Sequence, residues 1–140
     1  NRSSDLEIRA ELKKAIPDVL DKCSKIVGRT PTDITVRKMK NWGNCKQNGK
    51  ITLNLNLAKK DMECLEYVMI HELCHLIEFN HGKGFKRLMD KFCPNWKKIK
   101  KRLNEYRLLF IYYSTSIIIF IKIRQLFTLE HVGIHCLIFK

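Results

Sequence analysis

The run His71-Glu-Leu-Cys-His75 places two imidazoles around a glutamate at a spacing that matters for chemistry. Four residues on a helix make roughly one turn, so both imidazoles leave the same face. Two neutral ring nitrogens placed this way can bind one zinc ion, with bonds of about 2.0–2.1 Å. Glu72 is rotated about 100° from His71, which sets its carboxylate beside the ion and not on it. There it can accept a proton from an activated water and pass it to a leaving amine. A third ligand has to come from beyond the helix. His81 is the candidate, because Asn80 and Gly82 flank it and a break there folds the chain back. Three protein ligands with one position open is the catalytic arrangement of zinc, whereas four protein ligands make a structural site. Burying two histidines and a glutamate in an apolar helix without such a partner would be unfavourable.

Other candidates are weaker. His131 and His135 repeat the four-residue spacing without an intervening glutamate and are read as non-functional. Cys74 lies inside the motif and is read as a small core residue. The six cysteines contain no C-x-x-C pair and follow no secretion signal, so reduced, mostly buried thiols in a cytoplasmic protein are expected. The chain begins at Asn1, and its start is expected to be missing.

The 140 residues suffice for one domain with a core. At 45% apolar and 29% charged, the composition is that of a globular chain and not a disordered one. The net charge is +13 and uneven, with nine Lys or Arg from Lys83 to Arg102 against Asp90 alone. Such a surface favours acidic partners or nucleic acid. Trp96 falls on the apolar face of the pattern, and the basic stripe is read first as a solvated helix face.

The elements that must position the motif follow from periodicity. Ser4 to Glu7 fits a capping box, and Leu6, Ile8, Leu12 and Ile16 continue a helix that Pro17 interrupts. A second helix then starts at Pro17 and ends near Gly28. Thr32 to Met39 reads as a strand and Asn41 to Cys45 as a turn. Asn48-Gly49 signals a hairpin, and Ile51 to Leu57 alternates as a strand buried on one face. The two strands are expected to pair antiparallel. A helix is expected from Ala58 to about Phe79, apolar around most of its girth. After the break at Asn80 to Gly84 come an amphipathic helix through Phe85, Leu88, Met89 and Phe92, and a last one from Pro94 with a Lys/Arg face. Leu108 to Ile121 is uncharged but several residues short of the roughly 20 a membrane span needs. That tail is read as a buried strand or helix pair, or as sequence appended by a shifted reading frame.

Taken together, Val36-Arg-Lys-Met-Lys40, Trp42-Gly-Asn-Cys45, Ile51-Thr-Leu-Asn54, Glu66 to His75 and Asn80-His-Gly-Lys-Gly-Phe85 resemble the YgjP-like metallopeptidase family, a relative of the SprT-like zinc peptidases. Pro94-Asn-Trp96 and the basic helix after it extend the likeness, over residues 6 to 106. The resemblance implies an α+β, zincin-type metallopeptidase domain, with a small antiparallel sheet packed on an active-site helix. It implies His71, His75 and His81 as zinc ligands and Glu72 as the catalytic acid/base. Asn41 and Asn44 depart from the family's usual W-G-S-C turn, which also reads one residue shorter here. The histidine spacing also matches metzincins, but Glu78 stands where they have glycine and no Met-turn is evident.

The expectation is therefore a zinc peptidase domain over 1–106, acting on a protein or peptide, with residues 107–140 a hydrophobic tail. A substrate strand lying along the Ile51–Leu57 strand would give affinity through main-chain bonds. The alternative is a non-catalytic, zinc-stabilised module binding nucleic acid through the basic helices 83–102. A membrane is not an expected partner.

Overall fold

The structure, a computed structural model, describes residues 2–128. Helix α1 (Arg2–Val27) is followed by strands β1 (Asp33–Arg37), β2 (Gly43–Cys45) and β3 (Lys50–Asn54). A 3-10 turn (Leu55–Lys59) leads into α2 (Met62–Cys74), α3 (Lys83–Phe92) and α4 (Trp96–Thr128). Two compact units result, residues 1–100 and 101–140.

Helix α1 runs unbroken through Pro17, in contrast to the two helices read from the sequence. The buried stripe Leu12, Ile16, Val19, Cys23 and Val27 is continuous across the proline. An interior proline costs about 3 kcal/mol. Each large aliphatic buried returns about 1.5–3 kcal/mol, so the stripe outweighs it. Pro17 itself is exposed, which leaves the carbonyl one turn earlier open to water. At the far end Gly28 adopts φ +76° and its N–H donates to Ser24 O, closing the helix.

The sheet has the order β1-β3-β2 and is mixed, not antiparallel throughout. Strand β2 pairs antiparallel with β3 through the Asn48-Gly49 hairpin, where Gly49 takes φ +85°. Strand β1 pairs parallel with β3, with Ile34 opposite Ile51 and Val36 opposite Leu53. The expected antiparallel pairing of the first and last strands fails because residues 43–45, read as a turn, are the hairpin partner. Residues 38–49 then serve as the dozen-residue connection that a parallel pair requires.

Strand β3 is therefore central and buried on both faces: Ile51, Thr52, Leu53 and Asn54 are all at or below 5% exposure. Its two buried polar side chains are satisfied. Thr52 and Thr35 hydroxyls lie 3.1 Å apart. Asn54 Nδ2 donates to Met39 O and Asn41 O at 2.9 Å each, and Asn54 N donates to Trp42 O. Asn54 thus anchors the approach to β2. Asn54→Ala strands two carbonyls, and a stability loss of about 1–3 kcal/mol is expected in chemical denaturation.

Helix α1 packs on α2 and the 3-10 turn. Lys22 Nζ bridges to Glu66 on α2 at 2.8 Å, and an Arg9 guanidinium nitrogen donates to Val36 O of β1. Among the described residues the tail is helical and not a strand. It continues α4, with Ile117, Ile118, Ile119 and Phe120 about half exposed. Among the described residues, no helix is long and apolar enough to cross a membrane.

Candidate metal centre

Helix α2 starts where Asp61 caps it, its carboxylate accepting from Cys64 N at 3.1 Å. It is shorter than the sequence pattern suggested. The residues after Cys74 close as turns, with Ile77 N and Glu78 N both donating to Cys74 O. Those turns carry the chain back, so that His81 meets the helix one element earlier than α3.

His71, His75 and His81 converge through their Nε2 atoms. The three separations are 3.2, 3.2 and 3.1 Å, a nearly equilateral triangle. Tetrahedral ligands with bonds of about 2.0–2.1 Å stand about 3.3–3.4 Å apart, so the triangle fits one face of a zinc tetrahedron. Among the described residues this is the one cluster of three or more His, Cys, Asp or Glu able to hold a metal ion. Burial pushes His71 down to about 3, helped by the His75 and His81 rings. His75 is also lowered, again chiefly by burial. Both therefore stand as neutral imidazoles, the form that ligates.

Two contacts set the rings. His75 Nδ1 lies 3.1 Å from Glu78 O, and donation to that carbonyl leaves Nε2 free to face the centre. Phe85, the third residue of α3, packs against all three imidazoles at centroid distances of 4.8, 4.5 and 4.9 Å. The rotamers of the triad are thus held by an aromatic wedge and a backbone acceptor.

Glu72 is 4% exposed, and burial pushes its carboxyl up to about 8. Above it lies Gly43 of β2. A Cβ on Gly43 would sit 2.6 Å from Glu72 Oε1 and 2.9 Å from Cδ and Cγ. Only a glycine lets the strand approach this closely.

Strand β2 is an edge of the sheet. Lys46 N bonds Lys50 O, and Asn54 N bonds Trp42 O. Hydrogen-bonded pairs recur every second residue in an antiparallel ladder, so Asn44 faces β3. Gly43 and Cys45 consequently turn their main-chain N–H and C=O outward. The central position of β3 excludes the Ile51–Leu57 strand as a substrate-binding edge.

The three predicted ligands thus meet in one place, and Glu72, next to His71 on α2, lies under Gly43. Gly43, Phe85 and the Glu78 carbonyl were not singled out as functional from the sequence. The lone glycine between Trp42 and Asn44 was a signal for the first, but periodicity offers none for the other two. Cys23 and Cys74 are buried thiols that burial raises to about 12, which makes them inert core residues. His131 and His135 lie outside the described residues.

A small sheet against a histidine-bearing helix, with a third histidine returned by a turn, defines a zincin-type metallopeptidase. The profile of the YgjP-like metallopeptidase domain matches residues 5–106, and the chain belongs to that family. Among solved structures it is similar to the metallopeptidase zymogen of Pyrococcus abyssi abylysin, with a TM-score of 0.58 and 27% identity over 63% of this chain and 90% of that one. The metallopeptidase zymogen of Methanocaldococcus jannaschii jannalysin shares the fold at a TM-score of 0.55 and 17% identity, covering 65% of this chain and 95% of that one. No curated protein matches the sequence.

Proposed function

We propose that residues 1–106 form a catalytic unit that hydrolyses peptide bonds in a protein or peptide, at a zinc ion held by His71, His75 and His81. The observation that carries this reading is the Nε2 triangle of 3.1–3.2 Å, with the buried Glu72 next to His71 on α2. Three imidazoles with one side open suit zinc in a catalytic role. Zinc, when bound, supplies a Lewis acid that polarises a carbonyl and acidifies water.

The remaining steps belong to the chain. Glu72 takes a proton from the attacking water on its carboxylate and delivers it to the amine that leaves. Its buried surroundings favour the protonated form, which suits a group that holds a proton between two transfers. The outward main-chain groups of Gly43 and Cys45 pair with an extended substrate, whose backbone then lies next to Glu72. Glu72 also argues against a purely structural zinc module, which has no need of a buried proton carrier.

Metal content of the purified full chain tests the ligand set. About one zinc per chain is expected in the wild type and in Glu72→Gln, and little in His81→Ala, as for a site with three protein ligands. A folded wild type that takes up no zinc would overturn the reading.

A further inference from the structure

The basic segment is more than a solvated face. Residues 83–102 carry nine cations against one acid, a net +8 of the chain's +13. Protein surfaces ordinarily intersperse the two signs. Here Lys83, Lys86, Arg87 and Lys91 are exposed on α3, and Lys97, Lys98 and Lys100 are exposed on the first turns of α4. Among the described residues, none of these seven joins an ion pair with an acid. The acid in their midst, Asp90, is engaged by Trp96, whose Nε1 donates to it at 2.7 Å.

Trp96 differs from its place in the sequence pattern. It is half-exposed, and that bond joins the end of α3 to the start of α4, between the two groups of cations. Lys97 Nζ and Lys100 Nζ stand 5.6 and 5.9 Å from its ring centroid. Phe92, also half-exposed, carries Lys91 Nζ at 5.3 Å. Aromatic faces set among cations are the two parts of a single-strand binding surface: the cations meet phosphates, and the rings stack on unpaired bases.

We infer that the face formed by α3 and the first turns of α4, with Trp96 as its stacking platform, binds single-stranded nucleic acid. A duplex hides its base faces and would leave the ring unused. The surface begins two residues after His81, so bound nucleic acid lies beside the metal centre. Binding itself does not depend on the peptidase reading.

The test is fluorescence anisotropy of a labelled oligothymidylate of about 20 nucleotides, titrated with the full chain at several salt concentrations. Binding is expected to weaken with salt, log K falling with log salt by about 0.7 for each phosphate engaged. Tryptophan emission should be quenched on binding in the wild type, and that quenching should be absent in Trp96→Phe. The fourfold variant Lys86→Glu, Arg87→Glu, Lys97→Glu, Lys98→Glu, with its circular dichroism unchanged, should bind at least about tenfold more weakly, having lost contacts from both helices. Equal affinity in that folded variant overturns the inference. So does a wild type whose emission is not quenched. Equal or tighter binding of duplex DNA, polyglutamate or anionic lipid vesicles would assign the surface to another partner and overturn it as well.

Discussion

Replacing Glu72 with glutamine is expected to leave zinc content unchanged and to lower kcat by about 10²–10⁴, the range that positioned acid–base groups supply. Glutamine keeps the size and shape of the side chain, so the packing against Gly43 survives. What it removes is a site that can accept and release a proton. The carboxyl lies at 4% exposure, where ionisation is disfavoured by burial. The neutral amide carries no such penalty, so the melting temperature of the variant should equal or exceed that of the wild type. Steady-state kinetics on an unstructured protein substrate, together with metal analysis and a thermal melt, give all three readouts. Activity retained by a zinc-loaded Glu72→Gln protein would remove Glu72 from the mechanism.

Gly43→Ala is the second large effect, and it acts through space alone. Gly43 is not among the glycines with positive φ, so alanine suits its backbone. The added Cβ would lie 2.6 Å from Glu72 Oε1, well inside contact distance, and the carboxylate has to move. A displacement approaching 1 Å at a reacting group can cost about a hundredfold in rate. The expected outcome is a folded, zinc-loaded protein with kcat down by about that factor. Valine at the same position should deepen the loss. Full activity in Gly43→Ala would mean that Glu72 works from a different position during turnover.

The two variants separate the carboxylate's chemistry from its placement. Glu72→Gln keeps the side chain in place without a group that takes up a proton, and Gly43→Ala keeps the carboxylate and shifts it. His81→Ala differs from both, because it removes a proposed ligand and should lose the ion.

The sequence by itself determined what depends on neighbours a few residues apart. The i, i+4 spacing of His71 and His75 put both rings on one face of α2, and the break at Asn80 to Gly82 returned His81 to them. Asn48-Gly49 made a hairpin because its glycine takes up the positive φ that the turn needs. The apolar rows of α1 and α3 were readable for the same local reason. Pro17 misled because a single residue's preference outweighed, on paper, a stripe of buried side chains that only the folded chain assembles.

Only the tertiary structure decided the sheet. Alternation in residues 51–57 is compatible with an edge strand or a central one. The central place of β3 came from β1 and β2 pairing along its two edges. The pairing of β1 with β3 joins residues 17 apart, and the approach of Gly43 to Glu72 joins residues 29 apart. Such contacts are selected by the packing of whole elements, because several strand orders satisfy the same local pattern. The spacing of His71 and His75 was therefore written along one helix turn, whereas the placement of Glu72 under a glycine edge belongs to the assembled fold.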